Sequence, residues 1–317
     1  MSGPLIVSRA QIVDALAQVD AIAAMERAFA AYSNGEAVVP PVGEILFADR
    51  DGEAHIKSGY IAGDDVFVVK VATGFYRNAD LGMPANSGVV LAFSARDGLL
   101  QAILLDEGHL TNVRTAAAGA MAAKYLAPET VTAIGVLGSG VQARLQAEAL
   151  KSFTPCRSIV LWARRDAAAE DCARDLRDSG FTVAVVKSPR DVAAATNLLV
   201  TATASKVPLL ALGDIRPGTH INAVGADTAE KRELQSDLLN GADIVAVDSL
   251  VQSRERGELH HCPAVADRAV ELGAIVTGHA PRRTTQQQIT IADLTGVAVQ
   301  DIEIAKAVLA ELKKRNA

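Results

Sequence analysis

Residues 131–143 read Val131-Thr-Ala-Ile-Gly-Val-Leu137-Gly138-Ser139-Gly140-Val141-Gln142-Ala143. An apolar, strand-like run ends in G-x-G-x-x-A, and a helical pattern follows. Each position then has a task in binding a dinucleotide. Gly138 permits a tight turn, Gly140 lets the backbone approach a pyrophosphate, and Ala143 lets the helix lie close to the strand. The helix N-terminus faces the anion. About 20 residues further on, such a fold carries the side chain that reads the ribose. Here Ser158–Trp162 is followed by Ala163-Arg164-Arg165, and Asp166 already falls in the first turn of the next helix. A carboxylate at the strand end would bind a 2′-hydroxyl and repel a 2′-phosphate, whereas two arginines attract the phosphate. The expectation is NADP(H) in preference to NAD(H).

Three cations and one acid stand out beyond this loop. Lys57 and Lys70 lie within strand-like runs, and Lys70 is flanked by Val68, Val69 and Val71. Burying such a charge demands a partner; an edge-strand lysine facing water is the alternative. Arg114 opens an Ala-rich helical run, where an anion gains from the helix dipole. Asp227 follows the strand-like run His220–Val224 and the turn Gly225-Ala226. That is the carboxyl edge of a parallel sheet, where ligands bind, and an acid there can exchange a proton. A helix cap ahead of Lys231-Arg-Glu-Leu is its other reading. His260-His261-Cys262 lacks the convergent spacing of a zinc site, so no metal is expected. His55, His109 and His279 stand alone as packing or surface residues. No G-x-S-x-G elbow points to a serine hydrolase.

The elements that must position these residues fall into two grammars. A helix is predicted over residues 19–33. Short strands follow at 44–47, 54–60, 66–71, 88–93 and 99–105, separated by turns such as Asp51-Gly52 and Asp97-Gly98, which suggests antiparallel hairpins. A helix over 111–126 closes at Pro128. From Val131 onward strands and helices alternate, the signature of a doubly wound parallel sheet. A last strand at 289–294 leads into a helix over 297–314. The 317 residues fit about two domains at roughly 100–200 residues each. Half of the chain is hydrophobic and 21% charged, which rules out disorder. A net charge of −6 without basic blocks argues against nucleic acid. No apolar run suits a membrane span or a signal peptide, and the three scattered cysteines suit a reduced cytoplasm.

Four ordered motifs carry a resemblance: Leu110-Thr-Asn-Val-Arg114-Thr115-Ala-Ala-Ala, the glycine loop, His220-Ile-Asn-Ala-Val-Gly-Ala-Asp227, and Leu294-Thr-Gly296-Val-Ala-Val-Gln-Asp301. Together they cover nearly the whole chain, which resembles the ornithine cyclodeaminase/mu-crystallin family. The resemblance implies an α/β fold: a Rossmann domain at 119–296 and an α+β substrate-binding and dimerisation domain at 1–118 plus 297–317. It implies a homodimer. It makes Lys70 a substrate or catalytic residue, sets Arg114 between substrate carboxylate and cofactor, and assigns proton exchange to Asp227. It puts Asn86, Thr115, Thr203, Val224 and Gly296 along the cofactor, with Gly138–Gln142, Arg114, Arg164 and Arg165. Many members carry an arginine just after the proline near Pro40-Pro41; here Val42-Gly43-Glu44 stands instead. Lys57 takes its place as a carboxylate clamp, as in an imine-reductase-like and ectoine-utilisation-like subset. This departure points away from ornithine itself.

Three activities follow from the resemblance. The first is NAD(P)H-dependent reduction of an α-imino acid, cyclic like Δ1-pyrroline-2-carboxylate or linear. The second is an ornithine-type cyclodeaminase that releases ammonia. The third is noncatalytic binding like mu-crystallin, which lacks the acid matching Asp227.

Overall fold

The computed structural model describes residues 3–315. The chain divides into two compact units. One holds the residues up to Arg114 and those from Val297 onward; the other is Thr115–Gly296. The division lies ahead of the expected 118/119 boundary, inside one continuous helix.

The first unit begins with β1 (Leu5–Val7), α1 (Arg9–Leu16), α2 (Ala21–Ser33), β2 (Ala37–Val38) and β3 (Gly43–Phe47). It continues with β4 (Gly52–Ile61), β5 (Val66–Phe75), β6 (Asn86–Ser94), β7 (Leu100–Leu104) and the start of α3 (His109–Leu126). The strands form one sheet in the order β1-β7-β6-β5-β4-β2, with β3 also paired to β4. Strands β2 to β7 pair antiparallel, as the turn residues suggest, whereas β1 joins β7 in parallel. β1, α1 and β2 were not foreseen from the sequence pattern. All three are short, and a local device starts α1: Ser8 and Gln11 form a reciprocal capping box.

Side chains alternate across this sheet, so register decides what faces the helices. Lys57 pairs with Lys70, and Lys70 with Val90 on β6. Gly59 on that same face leaves room for the last helix of the chain: an added Cβ would lie 3.2 Å from Ile302 and 3.5 Å from Ala298. The opposite face carries Ile56, Tyr60, Phe67, Val69, Leu91, Phe93 and Ile103. Phe67 and Phe93 stack there with ring centroids 5.0 Å apart.

The second unit runs β8 (Ile134–Leu137), α4 (Val141–Leu150), β9 (Ser158–Trp162), α5 (Asp166–Asp178), β10 (Thr182–Val185), α6 (Pro189–Ala195) and β11 (Leu198–Thr201). It continues with β12 (His220–Ala223), α7 (Ser236–Gly241), β13 (Ile244–Val247), α8 (Leu250–Ser253), β14 (Val270–Glu271), α9 (Leu272–Val276) and β15 (Thr290–Asp293). Helix α10 (Ala298–Arg315) then belongs to the first unit. The eight strands lie parallel in the order β10-β9-β8-β11-β12-β15-β13-β14. Strands β8, β11, β12, β13 and β15 are buried at every position, as parallel strands covered on both faces must be. This is a Rossmann-type, doubly wound sheet. Its order reverses between β8 and β11, so the binding crevice opens at the carboxyl ends of those two strands.

Polar side chains inside this sheet pin α3 in place. His220 bonds Thr290 and Asn222, both at 2.9 Å, Asn222 donates to the carbonyl of Gly119 at 2.8 Å, and Thr290 donates to that of Leu126 at 2.8 Å. Burial, with help from Arg283, pushes the His220 imidazole down to about 3, so the ring is neutral and structural.

Candidate active site

The glycine loop joins β8 to α4. Gly138 adopts φ +122°, and an added Cβ would meet the Ala202 carbonyl at 2.4 Å. Gly140 is the N-cap of α4, no side chain caps it, and a Cβ there would meet nothing within 4 Å. The first-turn N–H groups of α4 therefore face open space that a side chain would narrow. Ala143 is fully buried under the helix. Arg144 reaches back to the carbonyls of Ser139 and Gly140 and pairs with Asp175 at 2.6 Å, which stiffens the turn. Residues 164 and 165 are exposed beyond β9, with Arg165 at the N-cap of α5. This loop fits a dinucleotide, with a left-handed turn, an open cradle and an uncapped helix start.

The carboxyl edge of the sheet is braced by a buried acid. Glu233 accepts hydrogen bonds from the Thr201 hydroxyl at 2.6 Å, the Thr203 N–H and hydroxyl at 2.7 and 2.6 Å, and the Gly225 N–H at 2.9 Å. It thereby fixes the ends of β11 and β12, Thr203 and the loop past Val224. Glu258 accepts from the N–H groups of Glu233 and Leu234. Asp293, at the end of β15, accepts from the Leu259 N–H at 2.9 Å. Asp248 takes the Thr295 hydroxyl at 2.8 Å and the Gly296 N–H at 2.6 Å. Gly296 itself adopts φ +82°.

Asp227 sits past this brace, about half exposed, and pairs with Lys231 at 2.7 Å. No helix begins between Asp227 and Gln235, so the helix-cap reading of Asp227 is overturned. The two His rings at 260 and 261 meet edge-on, and each bonds a backbone carbonyl, Arg254 for His260 and Lys231 for His261. His55 does not stand alone as expected: Glu44 and Glu53 lie 3.5 and 3.6 Å from its ring.

In the first unit the sheet face next to α10 carries the cations. Lys70 is central in the sheet and only 2% exposed, which excludes an edge lysine facing water. Its Nζ lies 2.9 and 2.8 Å from the two oxygens of Asp301. Arg114 places Nε 3.2 Å from Asp301 and Nη1 3.0 Å from Oε1 of Gln300. That Gln300 oxygen also accepts from the Val297 N–H at 2.9 Å, bridging Arg114 to the start of α10. Burial pushes the Lys70 ammonium down to about 8, although Asp301 opposes the shift. Burial would raise the Asp301 carboxyl, but Lys70 and Arg114 outweigh it and hold it below its ordinary value. Lys57 adds to that field from the neighbouring strand. Asp106, just ahead of α3, accepts from the Leu110 N–H, and burial raises its carboxyl.

Lys57, Lys70 and Arg114 thus gather on one face of the first unit, and Asn86 lies exposed at the start of β6. Thr115, the glycine loop, Arg164, Arg165, Thr203, Val224, Asp227 and Gly296 lie in the second unit. The sequence analysis assigned no role to Asp301, Gln300, Asp106, Glu233 or Asp293. Asp301 had a visible signal: an acid in the apolar run Val297-Ala-Val-Gln-Asp-Ile-Glu-Ile-Ala demands a buried cation. The sheet-edge acids had none, because their partners are backbone N–H groups and threonine hydroxyls, not cations.

The chain matches the ornithine cyclodeaminase/mu-crystallin family over residues 4–316, and it belongs to that family. It is 40% identical over 304 residues to a putative dehydrogenase of Rhizobium meliloti, covering 94% of this chain and 92% of the relative. Among solved structures it resembles the Δ1-pyrroline-2-carboxylate reductase of Thermococcus litoralis in complex with NADH and L-proline. The TM-score is 0.91 at 27% identity, over 99% of this chain and 98% of that one. It also resembles an archaeal alanine dehydrogenase dimer with bound NAD, with a TM-score of 0.89 at 29% identity over 99% and 97%.

One stability prediction follows from the sheet-edge acids. Burial raises Asp293 to about 7, and Asp248 and Glu233 add to the rise. A carboxyl raised on folding holds its proton in the native state after the unfolded chain has lost it. Its contribution to stability is complete below the unfolded value of about 4 and is lost as the pH climbs to about 7. Asp293→Asn removes this dependence. In thermal melts the variant should gain on the wild type between those two values, and parallel melting curves would refute the assignment.

Proposed function

We propose that the protein is an NAD(P)H-dependent reductase of an α-imino acid, forming the corresponding amino acid. The observation that carries this reading is the cation cluster: Lys57, Lys70 and Arg114 crowd about one fully buried carboxylate, Asp301. Such a surplus of positive charge suits a substrate carboxylate. A bound nicotinamide cofactor supplies the hydride for the C=N carbon. Gly138–Gln142 hold its pyrophosphate against the start of α4, and Thr115, Thr203, Val224, Gly296 and Asn86 line its remaining length. Lys57 and Arg114 clamp the carboxylate, and Lys70 orients it. Asp227 hands a proton to the nitrogen as the hydride arrives, with Lys231 beside it to restore the charge balance. The resemblance to a pyrroline-2-carboxylate reductase and an alanine dehydrogenase supports chemistry at a carbon–nitrogen bond. A soluble cytoplasmic enzyme is the setting this reading requires.

The test combines NADPH absorbance and ammonia release, with Δ1-pyrroline-2-carboxylate and then ornithine. Net NADPH loss with the imine is expected. Ammonia from ornithine without net NADPH loss would mean a cyclodeaminase, and neither signal a binding protein. In the active enzyme, Asp227→Asn should cut turnover by about 10²–10⁴-fold with cofactor affinity preserved. Its exposed pair with Lys231 is worth little to stability, so a folded variant with normal turnover would refute the assignment.

Cofactor choice rests on Arg164 and Arg165, which this reading gives to a 2′-phosphate. NADPH should bind more tightly than NADH, and Arg164→Asp should reverse the order. Equal affinities in the wild type would overturn it.

The working form is a homodimer built on the first unit's sheet. The face turned away from Lys70 is apolar: Ile56, Ile6 and Val38 are 38%, 62% and 64% exposed, beside the stacked Phe67 and Phe93. Exposed apolar patches of this kind mark association surfaces. Light scattering at micromolar concentration should give twice the chain mass of 33.1 kDa, and the monomer mass would contradict the dimer.

A further inference from the structure

The Lys70–Asp301–Arg114 cluster contains one group whose task the reaction above leaves open. Asp301 comes from the first turn of α10, in a stretch where Ala298 to Ala305 are all buried. A carboxylate in such a place is costly unless it is paired, and here it is paired twice. Both of its oxygens lie within 3 Å of Lys70 Nζ, while Oδ1 also receives the Arg114 Nε–H. Gln300, its neighbour in the chain, fixes the other side of the same guanidinium and bonds Val297 N–H. One turn of one helix therefore sets the direction of both cations.

We propose that Asp301 is a positioning residue that keeps Lys70 protonated and aimed, and that shares its carboxylate between Lys70 and Arg114 to do so. This rests on the reductase reading for its consequence in catalysis, but not for its physical content. The groups facing Lys70 divide by sign. Arg114 on α3 and Lys57 opposite it on β4 disfavour its positive charge, burial disfavours it further, and Asp301 and the more distant Asp106 favour it. Among the described residues only Asp301 both touches the ammonium and opposes its loss of a proton. Without the carboxylate, Lys70 would be a buried amine beside a guanidinium, and neutral lysine cannot attract a substrate carboxylate.

The test reads Lys70 directly. Protein carrying 13C at lysine Cε is titrated without substrate or cofactor, and the Lys70 resonance is identified by its loss in Lys70→Met. The wild-type midpoint should fall near about 8. Asp301→Asn should lower it, raising the ratio of neutral to charged lysine on the order of tenfold at a given pH, and Asp301→Glu should recover part of the shift. If Asp301→Asn does not fold, Arg114→Gln replaces it: removing the competing cation should raise the midpoint. An unmoved resonance in the folded variant overturns the proposal. If the protein reduces imino acids, the high-pH limb of kcat/KM should move down in Asp301→Asn together with the resonance. A lower rate with an unmoved limb would mean a structural role only and would also overturn it. Absence of turnover would count against the reductase reading alone, because the titration still decides the role of Asp301.

Discussion

The first unit is organised around keeping an ammonium group dry. Lys70 stands in the middle of a seven-stranded sheet with another lysine opposite it, and like charges directly across a strand pair are destabilising. The arrangement is tolerable only because α10 delivers a carboxylate at that point. Removing one partner from such a buried group costs about 3–5 kcal/mol, since the remaining charges are left unmatched. Several features serve the delivery. Gly59 lets α10 lie close to β4, Lys306 on α10 meets Asp64 at 2.7 Å through both carboxylate oxygens, and Arg27 on α2 reaches Glu303 at 3.0 Å. Those pairs flank the Asp301 turn and hold the helix in register with the strand.

The second unit solves a related problem differently. Its buried sheet-edge acids are matched by backbone N–H groups and hydroxyls, not by cations. Glu233 gathers the loop ends after β11 and β12, and Asp248 holds the turn that carries Gly296. Peptide donors fix loop geometry more rigidly than long cationic side chains, which lose rotamer freedom when held. The price is a raised carboxyl at Asp293, where hydrogen bonds do not fully replace water.

How much of this was legible in the sequence differs by kind of signal. The Rossmann unit read well because its strands, apart from the two-residue β14, are short runs bounded by turns, and Gly138 and Gly140 carry their conformational need in their identity. The antiparallel strands read well for the same reason, although β1 joins the far edge of the sheet by a long-range pairing that no local pattern encodes. Lys70 was legible from its valine neighbours. The acid in the apolar start of α10 signals a buried cation too, but not which one, because Asp301 lies 231 residues from Lys70 and the fold decides which face of α10 meets the sheet. The helix-cap alternative for Asp227 failed for a local reason. Residues 228–233 form turn and extended chain that carries Glu233 to β11 and β12, so the acid four places before Lys231 makes an ion pair in place of a cap.

In the proposed reaction, position and not residue type separates the roles of Asp227 and Asp301. Both are aspartates paired with a lysine. Asp227 is half exposed, with its partner on the same loop. Asp301 is sealed at 2% exposure between two cations, and protonating it would leave both buried and unmatched. A group that must exchange a proton in each turnover needs the first setting, and a group that must hold other charges still needs the second. If the two were interchanged, proton transfer would be slow and the substrate clamp loose. One acid stands on a loop past the parallel sheet of the second unit, and the other in the buried first turn of α10 in the first.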